Sequence, residues 1–473
     1  MSTHAQLATN QANTPVNHEN GEDFAVTRNA CKLCTPLGAT LAFKGLRDSV
    51  CILHGSQGCA TYIRRYMISH FREPMDIASS NFTEHTAVFG GKNNLHTALD
   101  NLVQSYNPKI IGVATTCLAE TIGEDLPAIL RDWQAGRQAK NLPCPELVAV
   151  NTPSYNGTHR EGFQSALRET VVQLALKKPI PALSLPRINL ISGMVSPADL
   201  RWLGQTLDSF GLPATMVPDY SETLDGGLWS EYTAIPSGGT SLEQIQAMSG
   251  ASATIELGAL PHHAGSAGTK LRDHGIPLHS LDLPMGFNLT DRFLESLAAL
   301  SGLPIPAEMQ AKRSRLADSY VDAHKYLSGL RVMIYGEEDL VVGMASLLLE
   351  TGVNLVLAAS GGKSGLLESR LPEILTAYPK AKPIVRSGID FIDLESEARA
   401  ANVQLALGSS KGFKLARAMD IPLIRLGFPV HDRFGGQRIQ HLGYEGAQQI
   451  FDSLINTVLE REQERNPIGY TYF

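Results

Sequence analysis

Short apolar runs recur along the chain, each bounded by Gly, Pro or Ser and separated from the next by a helix-length amphipathic stretch. They are Ile110–Ala114, Leu147–Val150, Ile188–Ile191, Val332–Ile334, Leu355–Ala358, Leu405–Leu407 and Leu423–Leu426. Strands that are apolar at consecutive positions are covered on both faces, so the pattern predicts parallel sheets flanked by helices. The pattern starts afresh near Arg187, after the Pro-containing segment Lys177–Pro186, and again near Arg331, after a charged helix expected over Ala307–Leu327. The fold class is therefore α/β, with three doubly wound, Rossmann-like parallel-sheet domains at 31–186, 187–330 and 331–473. Residues 1–30 carry few large apolar side chains and are expected to form a flexible tail or a partner-wrapping arm. The last helix, expected over Tyr444–Arg465, ends in Gly469–Phe473, whose aromatics could dock on another surface.

Composition narrows the function classes. The 473 residues are 43% hydrophobic and 18% charged, which is material for large buried cores. A formal charge of -7 offers no broad basic surface, so nucleic acid is not expected as a partner. The most apolar window, Val341–Ala359, is broken by Glu350, Gly352 and Asn354, so no membrane span is expected. The polar start lacks a secretory pattern, which points to the cytoplasm, where six cysteines would be free thiols or metal ligands rather than disulfides.

Ligands of open α/β sheets gather at the carboxyl ends of the strands. The polar turns Thr115-Thr116-Cys117, Ser192-Gly193, Tyr335-Gly336-Glu337, Ser360-Gly361-Gly362 and Gly408-Ser409-Ser410 are candidates for that role. Cys34 in Cys34-Thr35-Pro36-Leu37-Gly38, Cys59 in His54-Gly55-Ser56-Gln57-Gly58-Cys59, and Cys117 all fall in expected turns. Such turns offer backbone N–H groups and room for an inorganic ligand, although the spacing matches no compact zinc or ferredoxin motif.

The words around these cysteines resemble the β-type subunit of nitrogenase component 1 and its nitrogenase-like relatives. The resemblance continues through His70-Phe71-Arg72-Glu73-Pro74, Thr83-Glu84, Val88-Phe89-Gly90-Gly91, Thr152-Pro153-Ser154, Arg425-Leu426-Gly427-Phe428-Pro429, Asp432-Arg433 and Leu442-Gly443-Tyr444-Glu445-Gly446-Ala447. It covers nearly everything after the tail and implies three α/β domains of the nitrogenase component 1 type. It also implies that Cys34, Cys59 and Cys117 are the β-side thiolates of a P-cluster-type eight-iron, seven-sulfur centre shared with an α-type subunit, with Ser154 as a redox-dependent oxygen ligand. Tyr62 keeps its position three residues after the second cysteine, and Ser56 and Gly58 would line the same turn. Glu73, Asp318 and Asp322 match positions that bind a mononuclear cation, iron or calcium, between two β subunits of an α2β2 heterotetramer.

The resemblance implies a subunit of an oxidoreductase with no catalytic residue of its own. An ATP-dependent iron–sulfur reductase protein would deliver low-potential electrons, and the β-side cluster would relay them to a catalytic cluster in the α-type chain. The favoured substrate is one other than dinitrogen, as in methylthio-alkane reductase, which cleaves carbon–sulfur bonds. Two alternatives share the scaffold: the dinitrogen-reducing molybdenum–iron β subunit, and the β-like subunit on which the cofactor is matured. Known scaffold subunits keep only the cysteine of Gly55-Ser56-Gln57-Gly58-Cys59 and hold a four-iron cluster, whereas all three cysteines and Ser154 are present here.

Other features have plainer readings. Cys31 forms a single CxxC with Cys34 and, with no thioredoxin-like helix expected after it, is read as structural; Cys51 reads as a core residue, and Cys144 has no visible partner. The pair His262-His263 invites a metal reading. The loop Ser360–Gly365 lacks Walker spacing and is not read as an ATP site.

Overall fold

Every position of Ser49–His54 and Ile110–Thr115 is buried, as required of central strands covered by helices on both faces. The computed structural model describes residues 30–177, 179–180, 187–258 and 265–468. The terminal tails and His262-His263 lie outside the described residues. Strands β1 (Ser49–His54), β2 (Ile77–Ser79), β3 (Ile110–Thr115) and β4 (Glu146–Val150) form the first sheet, in the order β2-β1-β3-β4. The second contains β5 (Ile188–Ile191), β6 (Ala214–Val217), β7 (Ala253–Leu257) and β8 (Leu278–Leu281), in the order β6-β5-β7-β8. The third contains β9 (Arg331–Gly336), β10 (Asn354–Ser360), β11 (Ile384–Ser387), β12 (Leu405–Gly408) and β13 (Leu423–Arg425), in the order β11-β10-β9-β12-β13. Every named pairing is parallel. All seven apolar runs are strands of these sheets, so the α/β class is as expected.

The helix α1 (Thr35–Lys44) precedes β1 and is buried along its whole length. It crosses the helix His159–Thr170 at backbone contact, through one glycine on each side. A Cβ on Gly38 would lie 1.6 Å from the His159 carbonyl oxygen, and one on Gly162 1.9 Å from the Thr35 carbonyl oxygen. Only glycine permits an approach this close. The crossing brings the two helix starts together: His159 N–H donates to the Leu33 carbonyl (3.1 Å) and Leu33 N–H to His159 Nδ1 (3.4 Å).

One hydrophobic core extends across the three sheets. Arg160, fully buried, ties them at a polar point: its guanidinium donates to the Gly258 carbonyl beyond β7, and its Nε lies 3.0 Å from Asp339 Oδ2 in the helix Glu338–Glu350. That same helix ends at Glu350, whose carboxylate accepts from the N–H groups of Phe287 (2.6 Å) and Asn288 (2.9 Å), at the start of the helix Asn288–Ser301. Burial pushes the Glu350 carboxyl up to about 7, against the pull of those two N–H groups. A carboxyl raised on folding contributes stability that is complete below its unfolded pKa, near 4.5, and is lost as pH rises through 7. Glu350→Gln is therefore expected to gain about 3 kcal/mol relative to the wild type between pH 4.5 and 7, with no further gain above. Urea unfolding midpoints of both proteins across that range test this; a constant gap would contradict it. Among the described residues, no helix is long and apolar enough to cross a membrane.

Candidate metal centre at the carboxyl edge of the first sheet

Each of the three cysteines begins a helix. Cys34 is the N-cap of α1, Cys59 lies in the first turn of α2 (Gln57–Phe71), and Cys117 opens the short helix Cys117–Thr121. Helix starts present unpaired N–H groups and a positive dipole end, which favour sulfur as thiolate. Two of these helices follow the adjacent central strands β1 and β3, and Thr116 links their ends by donating from both N–H and Oγ1 to the His54 carbonyl (3.1 Å each). The third sulfur arrives by the α1 crossing.

The turn after β4 closes the group. Thr152 is bound to the end of β3 through Thr115, by N–H to Oγ1 (2.9 Å) and by Oγ1 to the carbonyl (2.6 Å). Ser154 then sits beside two cysteines: its N–H donates to Cys117 Sγ (3.2 Å), and its Oγ accepts from the N–H of Thr35 (3.3 Å), the residue after Cys34. Ser56 Oγ approaches Cys59 Sγ at 3.7 Å. Burial pushes the Cys34 thiol up; the Ser154 hydroxyl draws it back, while charge on Cys117 and Cys59 raises it further. Three sulfurs gathered on one edge suit a site that holds metal cations. Tyr62 is close enough for Cys34 to act on its phenol, which burial pushes well up. Gly58 is exposed, and a Cβ there would meet only Ser56 Oγ at 3.8 Å. All seven expected cluster residues thus lie at this edge.

The three cysteines are each partly exposed and none is in a disulfide. Tyr155 is 62% exposed beside Ser154, Leu118 is exposed beside Cys117, and Tyr62 is exposed on α2. Val88 and Phe89, 75% exposed each, end a short helix whose following Gly91 N–H donates to Glu124 Oε1 (2.6 Å); the other oxygen of Glu124 meets His54 Nε2 at 3.1 Å. Among the described residues, no three His, Cys, Asp or Glu side chains are grouped to hold one metal ion. A polynuclear core has different needs: soft sulfur donors spaced around it, with the remaining ligands from elsewhere. The donor set of three sulfurs and a hydroxyl fits such a group.

Glu73, Asp318 and Asp322 are not part of this edge. The two aspartates are exposed on the helix Ala307–Leu327, and Glu73 is half-buried, raised by burial and by Asp225 and lowered by Arg438. Within one chain the three form no cation-holding group.

Contrary to expectation, a helix, α1, follows the CxxC directly. Its start is bound to Ser154 and His159, and Cys31 is buried in the core of the third sheet, its thiol pushed up to about 12 by burial. Cys51 is also a core residue, pushed up to about 11, whereas Cys144 is exposed. The loop after β10 is closed to phosphate, since the Ser364 N–H (3.3 Å) and hydroxyl (2.6 Å) are both bonded to Glu338.

Three sulfurs at helix starts and a serine thus share one partly exposed edge of a doubly wound protein, the donor set of a candidate metal centre. Residues 34–459 match the family described as nitrogenase component 1 type oxidoreductase. The chain is 33% identical over 441 residues to the nitrogenase molybdenum-iron protein beta chain of Clostridium pasteurianum, covering 93% of this chain and 95% of that one. It is 35% identical over 457 residues to the corresponding chain of Azotobacter vinelandii (93% and 86% covered). It is also 31% identical over 442 residues to the nitrogenase iron-molybdenum cofactor biosynthesis protein NifN of Bradyrhizobium diazoefficiens (93% and 91%). A chain in the solved structure of nitrogenase Cp1 at pH 6.5 superposes with a TM-score of 0.89 at 31% identity, covering 96% of this chain and 98% of that one. The chain belongs to the nitrogenase component 1 family, as a β-type subunit.

Sequence reading missed Lys411, which follows β12 and donates from Nζ to the Lys32 carbonyl (3.3 Å), two residues before Cys34. Its signal was available: it directly follows Gly408-Ser409-Ser410, one of the polar strand ends where ligands gather.

Proposed function

We propose that this chain is the electron-relaying β-type subunit of a cytoplasmic nitrogenase-like reductase. In this reading Cys34, Cys59, Cys117 and Ser154 hold half of a P-cluster-type iron–sulfur centre, and an α-type subunit completes it. The observation that carries the reading is Ser154, whose N–H donates to Cys117 Sγ while its Oγ accepts from the N–H of Thr35, the residue after Cys34. When bound, such a centre supplies reversible electron storage at low potential. The chain's own contribution is to fix the donors: three helix starts orient the sulfurs, and the hydroxyl of Ser154 stands ready between two of them. Tyr62 and Ser56 shape the turn, and Gly58 leaves it open. The exposed side chains Tyr62, Leu118 and Tyr155 rim the sulfurs and suit burial against the α-type partner. An ATP-dependent iron–sulfur reductase protein would donate the electrons, and the substrate, one other than dinitrogen such as a methylthio-alkane, would be reduced in the partner.

The division into domains at 31–186, 187–330 and 331–473 belongs to the same proposal, each part being built around its own sheet. So does an α2β2 assembly, with Glu73, Asp318 and Asp322 completing a cation site only between two β copies. Similarity to NifN at nearly the same identity supports one second reading, a scaffold for cofactor maturation.

Iron counting with electron paramagnetic resonance on the complex purified with its α-type partner separates the two. An oxidised eight-iron signal at the interface is expected for the relay. A complex with only a four-iron cluster there would favour the scaffold and reject the relay.

A further inference from the structure

The first and third sheets meet beside the sulfur edge, and one cation spans the junction. Lys411 leaves the turn after β12, donates to the Lys32 carbonyl (3.3 Å), and places its ammonium 6.0 Å from the ring centroid of Tyr66 on α2, the helix that carries Cys59. It therefore touches the segment leading to Cys34 and the helix bearing Cys59, although it comes from another sheet. It also lines a small cavity of about 10 Å³ with Cys31, His159, Glu337 and Phe428.

The charges around Lys411 are unequal. Burial pulls its ammonium below the usual lysine range, while charge on Cys31, Cys34 and Glu337 holds it up. Of these groups Cys34 is the proposed cluster ligand, two residues after the Lys32 carbonyl that Lys411 holds.

We propose that Lys411 is a positioning residue for the iron–sulfur centre, a fixed positive charge that raises its reduction potential from the third sheet. This rests on the reading of Cys34, Cys59 and Cys117 as cluster ligands. A nearby cation favours the state with the extra electron, and outer-shell charge is one of the levers by which a protein sets cluster potential. Because Lys411 belongs to the third sheet and the sulfurs to the first, any movement of one against the other changes this distance and with it the potential.

The test is a redox titration, followed by electron paramagnetic resonance, of the complex purified with its α-type partner as wild type, Lys411→Gln and Lys411→Arg. Glutamine keeps a donor for the Lys32 carbonyl and removes the charge; arginine keeps both. The expected result is a midpoint moved to more negative potential in Lys411→Gln, at unchanged iron content, and a midpoint near wild type in Lys411→Arg. A Lys411→Gln midpoint equal to wild type at full iron loading would overturn the inference while leaving the ligand assignment intact. A wild-type complex with no iron–sulfur signal at this interface would remove the ligand assignment and the inference with it.

Discussion

Gly38→Ala is expected to destabilise the protein by about 3 kcal/mol or more, a severe cost for a single methyl group. The added Cβ would fall 1.6 Å from the His159 carbonyl oxygen, 2.6 Å from its carbon and 2.7 Å from Phe163 N. All three are backbone atoms of a helix, so no rotamer change relieves the overlap; the helices must separate. Separation opens the bonds between their starts and displaces Cys34 from Ser154, so iron loading should fall together with stability. Gly162→Ala strikes the same contact from the other side, at 1.9 Å from the Thr35 carbonyl oxygen. Because one separation relieves both overlaps, the double variant should lose less than the sum of the two single losses. Urea unfolding of the three variants measures this. A Gly38→Ala midpoint equal to wild type would mean that the crossing does not hold the site.

Cys59→Ala is expected to have the opposite profile. Cys59 is only partly buried, its neighbours Gln57, Gly58 and Thr61 are exposed, and the α2 core contacts come from Ala60, Ile63 and Met67. Folding of the isolated chain should change by less than about 1 kcal/mol, whereas the complex should lose its oxidised eight-iron signal. Cys34→Ala and Cys117→Ala should likewise impair cluster loading more than folding. Iron per complex, set beside the unfolding midpoint of each variant, checks the separation; retention of full iron in Cys59→Ala would contradict it.

These two predictions draw on different amounts of sequence information. The long buried strands were legible because a strand covered on both faces must be apolar at consecutive positions. Among the strands that escaped, β2 has three residues, β6 and β11 have four each, β8 reads Leu278-His279-Ser280-Leu281, and β7 includes Thr254 and a buried Glu256 that bonds Ser266 and Gly268 N–H. Strand β1, apolar from Val50 to Leu53, was seen only as the surroundings of Cys51.

The cysteines were identifiable through the motifs around them, but spacing alone could not join Cys34 to Ser154 across 119 residues of Thr35-to-Ser154 separation. That junction depends on two glycines whose role appears only when their helices cross. Lys411 was harder still, since it enters the site from another sheet. Glu73, Asp318 and Asp322 show the converse: a motif can mark residues that one chain does not bring together.

The most direct measurement is anomalous diffraction at the iron edge from crystals of the complex with its α-type partner. Iron density is expected within bonding distance of Cys34, Cys59 and Cys117 Sγ, in a core also held by sulfurs of the second chain. Density bound to Cys59 alone, or none at this edge, would contradict a shared relay centre.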